Sequence, residues 1–72
     1  MNYQYSVLIQ WSEMDRLYLV TLPEFAKLAM QPCTYGKTYE EAIANAQEAI
    51  AGYLEYCQEE SLLPPSPTPV AV

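Results

Sequence analysis

Residues 3–22 read YQYSVLIQWSEMDRLYLVTL, and from Tyr3 to Trp11 they alternate in character with a period of two. Tyr3, Tyr5, Val7, Ile9 and Trp11 fall on one side of an extended chain. Gln4, Ser6, Gln10 and Ser12 fall on the other, with Leu8 as the exception. Aromatic and β-branched residues at this spacing mark a strand with one buried face. The polar break Glu13-Met14-Asp15-Arg16 leads to a second strand, Leu17–Leu22, which Pro23 stops. With Met14 and Asp15 at the turn centre, paired positions sum to 29, so Trp11 faces Tyr18, Ile9 faces Val20 and Val7 faces Leu22. All of these then share one face, and a slip of one residue would divide them. The turn lacks the Gly or Asn of a tight primed hairpin; a longer loop with the same sum preserves the pairing.

On the other face the same register sets Ser12, Gln10, Leu8 and Ser6 against Leu17, Leu19, Thr21 and Pro23. One exposed leucine carries no information. Leu8, Leu17 and Leu19 together make that face more apolar than a solvated one, and they are the candidate contact residues for a partner or a second subunit. Ordinary exposure is the competing reading.

Residues 24–35, EFAKLAMQPCTY, are less regular: Phe25–Leu28 reads as a loop or helical turn, and Met30–Tyr35 as a short third strand. Pro32 confines that strand to an edge or a bulge. Gly36-Lys37 turns the chain, and Thr38-Tyr39-Glu40-Glu41 is a capping box that opens a helix running to about Glu60. Ala42, Ile43, Ala46, Ala49, Ile50, Tyr53, Leu54 and Cys57 recur at helical spacing, with Asn45, Glu48, Glu55 and Glu59 mostly opposite. Gly52 interrupts this helix at a cost of about 1 kcal/mol relative to Ala. Four of the six prolines follow Leu63 and make an extended, polyproline-like end.

The chain has 72 residues, enough for one small domain, and 51% of them are apolar. Nine acids against three bases give a formal charge of −6, which repels phosphate backbones. No apolar run is long enough for a membrane span, and MNYQYSVLIQWSE has no basic flank of a secretory signal, so a cytoplasmic protein is expected. There is no His, and Cys33 and Cys57 match no zinc-ligand spacing; they read as small, half-buried apolar residues. No cofactor or metal is expected. With no base for a nucleophile and glycine limited to Gly36 and Gly52, neither a catalytic dyad nor a phosphate loop is present. Glu13, Asp15 and Glu24 at the hairpin ends could converge on a cation, although acids at turns are commonplace. The expectation is a non-enzymatic α+β domain, with an antiparallel three-stranded sheet packed on one long helix. One helix covers one side of a sheet, so the other is left to water or a partner.

The order of these pieces resembles the HicB-like antitoxin family. The likeness rests on Tyr5–Phe25 with its Pro23-Glu24 pair after the hairpin, and on Cys33–Leu54 with Gly36-Lys37-Thr38-Tyr39-Glu40-Glu41-Ala42 at the helix start. The link Phe25–Cys33 is longer than the family's short Pro-Gly-Cys-like turn. The prolines after Leu63 leave no room for the DNA-binding segment of longer members. The resemblance implies a short single-domain form over residues 1–65 with a flexible Pro-rich tail, 66–72. Its fold would be a partial ribonuclease H-like β-β-β-α(-β) arrangement, with a short fourth strand at Leu62-Leu63 and no catalytic residues. It further implies a homo-dimer or higher oligomer that binds a HicA-type toxin, a small basic RNA-cleaving protein, and occludes its RNA site. Two alternatives stand beside this: an orphan oligomeric interaction domain without a toxin, and a small metal-dependent nuclease, for which Asp15 would be essential.

Overall fold

In the computed structural model, which describes residues 4–70, the element order is β1 (Leu8–Ser12), β2 (Leu17–Thr21), a 3-10 turn (Pro23–Phe25), β3 (Thr34–Gly36) and α1 (Tyr39–Glu59). The strands form one antiparallel sheet in the order β1-β2-β3. It is an α+β fold, three strands followed by one long helix. The hairpin register is the one read from the alternation: Ile9 pairs with Val20, Trp11 with Tyr18 and Ser12 with Leu17. Its loop is longer than two residues. Arg16 occupies the left-handed region at φ 57° and donates its amide to Ser12 O, while Asp15 accepts from the Ser12 hydroxyl.

β1 is shorter than the alternating sequence suggests. Tyr3 lies outside the described residues, and residues 4–7 are not in a strand. Their partners in the same register would be the residues around Pro23, which lacks an amide hydrogen and opens a 3-10 turn instead. That turn inserts Phe25 into the core, where it is fully buried with Val20, Leu22, Ala42, Ala46 and Ile50. β3 is also shorter than Met30–Tyr35, and lies at the edge, clear of Pro32. Ahead of it the Gln31 side chain takes the place of a strand: its Oε1 accepts from Leu22 N at 3.0 Å and its Nε2 donates to Leu22 O at 3.2 Å. Both backbone groups are thereby satisfied where the ladder stops.

The helix begins as the capping box requires. Thr38 Oγ1 accepts from Glu41 N at 3.0 Å, and Glu41 reaches back one residue further than Thr38, to Lys37 N at 2.9 Å. Gly36 belongs to β3 rather than to the turn. A Cβ there would sit 2.8 Å from Ala42 Cα and closer still to Ala42 N. Gly36, Ala42 and Ala46 thus allow the helix backbone to lie directly on the sheet. At its other end Ser61 adopts φ 56°, Leu62 N donates to Cys57 O and Ser61 N to Gln58 O. This is a Schellman cap with Ser in the position Gly usually fills.

The expected fourth strand at Leu62-Leu63 does not form among the described residues. Leu62 has already spent its amide on the helix cap, and Pro64 and Pro65 have none to offer a ladder.

The two glycines give opposite expectations. Gly36→Ala overpacks the contact with α1 and should lower stability by roughly 1–3 kcal/mol. Gly52 has nothing within 4 Å of a Cβ position, so Gly52→Ala should raise stability by roughly 0.5–1 kcal/mol. Urea denaturation followed by circular dichroism measures both.

Candidate protein-binding surface

Alternation puts Leu8, Leu17 and Leu19 on the sheet face turned away from α1. Leu17 and Leu19 are half-buried neighbours on the central strand, and Leu8 is 45% exposed on the edge strand. Leu8 pairs with Thr21 and so lies diagonally across from Leu19. The structure adds Tyr35, which pairs with Leu19 from the other side and is 56% exposed. Sequence reading missed Tyr35 because its face depends on the β2–β3 register, and the irregular link between those strands carries no countable spacing. Its carbonyl is held by Asn45 Nδ2 at 2.6 Å, which ties β3 to the helix. The three strands contain no charged residue. This outer face is therefore a neutral, partly apolar plate on an acidic chain.

Elsewhere the helix and the segment after Phe25 enclose a groove of about 410 Å³ lined by Leu28, Ala49, Gly52, Tyr53 and Tyr56. Gly52 leaves its floor open. Beneath it Cys33 lies beside the Tyr53 hydroxyl. Burial pushes the Cys33 thiol up, and burial followed by the neighbouring Cys33 pushes the Tyr53 phenol up, so both stay protonated at neutral pH. A protonated thiol is a poor nucleophile.

The carboxylates do not converge. Glu13 and Asp15 belong to the β1–β2 turn, whereas Glu24 lies beyond the opposite end of β2. Among the described residues no three His, Cys, Asp or Glu side chains come together in a metal-binding group, and no helix is long and apolar enough to cross a membrane. Glu24 instead ties the segment before β1 to the proline-rich segment after α1. It accepts from Ser6 N, the Ser6 hydroxyl and, at 3.1 Å, Thr68 N. The Tyr5 hydroxyl adds a 2.8 Å bond to Pro65 O. The first part of the proline-rich segment is thus strapped across the start of the hairpin. Partial desolvation pushes the Glu24 carboxyl up, but the bonds from its own backbone, Ser6 and Thr68 outweigh it and hold the group below its ordinary value.

No family model, curated protein or solved structure matches this chain.

Because the Glu24 pKa is depressed by folding, its contribution to stability is present above the ordinary value of 4.5 and is lost as the pH falls through the lower folded value. The stability difference between the wild type and Glu24→Gln should shrink over that acid range and vanish once the carboxyl is protonated. Protection of the Ser6 and Thr68 amides, measured by NMR as exchange relative to the intrinsic rate at each pH, should fall in the same window. Unchanged protection at both amides would rule out the strap.

Proposed function

We propose that this chain is a HicB-like antitoxin: a cytoplasmic, non-catalytic domain that binds a HicA-type RNA-cleaving toxin and occludes its RNA site. The order of the hairpin, the Pro23-Glu24 pair and the Gly36–Ala42 helix start carries the proposal. The single long helix behind three antiparallel strands is compatible with a partial ribonuclease H-like arrangement. A charge of −6 favours a basic partner and raises the rate of encounter with it.

The neutral outer face suits self-association. Two chains of like charge repel wherever acids meet, and the face bearing Leu8, Leu17 and Leu19 places no charge between them. A homo-dimer through this plate would cover the leucines and Tyr35 and add stability to a small core.

Co-expression with a HicA-type toxin tests the function: growth should be restored by the wild-type chain, and the two proteins should co-purify. Absence of rescue, or RNA cleavage by the purified chain alone, would overturn the proposal. Light scattering tests the dimer. The wild type should dimerise at micromolar concentration, and Leu19→Glu should be a monomer with unchanged helical circular dichroism, because a charge would then be buried at the centre of the interface.

A further inference from the structure

At the hairpin-turn end of the sheet, on the face that carries the helix, an aromatic ladder reaches solvent. Tyr39 packs on Tyr18 with ring centroids 4.4 Å apart, and Tyr18 meets Trp11 edge to face at 5.0 Å. The helix lies over β3 and β2 and leaves β1 largely uncovered, so Trp11 is propped by Tyr18 yet 46% exposed. A tryptophan this open on a small protein calls for an explanation.

The chemistry around the indole points to a cation. Glu13 Oε2 accepts from Trp11 Nε1 at 2.6 Å, which sets the carboxylate beside the ring although its side chain is 79% exposed. Its other oxygen, Oε1, lies 3.2 Å from Arg16 Nη1, and the Arg16 guanidinium carbon stands 5.8 Å from the centre of the Trp11 ring. An indole face with a carboxylate hydrogen-bonded at its edge suits a guanidinium: the ring quadrupole attracts the cation and the carboxylate orients it. The chain's only arginine occupies the site now, but loosely, since its side chain is 72% exposed. Exposed ion pairs and exposed cation–π contacts are both weak, so an incoming arginine can displace it.

We propose that Trp11 and Glu13, propped by Tyr18 and Tyr39, form a docking site for an arginine carried on a loop of a basic protein partner, with Arg16 as an internal stand-in. The acidic chain draws a basic surface toward the site and repels a nucleic acid. The site stands on its own geometry; that a HicA-type toxin supplies the arginine rests on the function proposed above.

Trp11 is the only tryptophan, so its fluorescence reports the site directly in the full chain. The probe is an acetylated, amidated Gly-Arg-Gly-Arg-Gly peptide, with the same peptide carrying citrulline as a neutral isostere. The arginine peptide should give a saturable change, and the citrulline peptide should bind at least about tenfold more weakly. Glu13→Gln keeps an acceptor for the indole and removes the charge; it should weaken arginine binding roughly three- to tenfold. Trp11→Leu, followed by amide NMR shifts in the hairpin, should abolish it. Arg16→Ala vacates the ring and should strengthen binding by a similar factor. Equal binding of both peptides, or unchanged affinity in Glu13→Gln, sinks the proposal. Loss of self-association in Arg16→Ala with peptide affinity unchanged would assign the site to the Arg16 of a second copy, and sinks it too. Arginine binding without toxin neutralisation removes the antitoxin reading and leaves the site. A toxin neutralised equally by wild type and Glu13→Gln keeps the antitoxin reading and overturns the docking of the toxin at this site.

Discussion

The contact on which the other features depend is the one between Gly36 and the first turn of α1. Because a side chain at Gly36 would collide with Ala42, the helix backbone settles directly on β3. The Thr38 cap fixes where that turn starts, and Ala42, Ala46 and Ile50 then run inward over Val20 and Leu22. This close seat has a geometric consequence. A single helix resting on the β3 side of a three-stranded sheet cannot also cover β1, so Trp11 is left half-open on the helix side. Among the described residues no second helix lies on the far side of the sheet.

The chain ends its regular elements by answering missing backbone partners locally, twice with a side chain and once with a left-handed backbone residue. Gln31 completes the ladder beside Leu22, Glu24 supplies the acceptor that Ser6 would have found in a longer strand, and Ser61 takes the left-handed position that closes the helix. Two of these stand next to a proline, Gln31 before Pro32 and Glu24 after Pro23, and Ser61 lies three residues before Pro64. Proline lacks the amide hydrogen, so ladders must stop there, and the buried or half-buried groups left behind must be answered locally. Pro23-Glu24 is thus a structural unit, with the proline ending the strand and the acid tying down what the ending leaves loose.

Two surfaces of different character result. The outer face is neutral and leucine-rich, suited to a surface of the same kind. The Trp11 end combines an aromatic face with a carboxylate, suited to a cation. Shape complementarity and desolvation govern the first; electrostatic attraction governs the second, and it is more sensitive to salt. The self-association proposed for one face would leave the other open to the proposed basic partner.

Much of this was legible in the residues. The period-two alternation around Met14 and Asp15 determined the hairpin register and the face on which Leu8, Leu17 and Leu19 lie, because a strand side chain's direction follows from its position alone. Thr38 to Cys57 determined the helix, its cap and its buried stripe by the same local logic. The tertiary structure decided what depends on contacts between segments distant in sequence. It placed Phe25 in the core from an irregular stretch, brought Tyr35 beside Leu19, and ended β1 short of Tyr5. It also consumed the Leu62 amide in the helix cap, removing the expected fourth strand, and left Trp11 exposed with Arg16 over it. Periodicity reports the direction of a side chain relative to its own segment. Which segment comes to rest against it is settled only when the helix finds the one glycine that lets it approach.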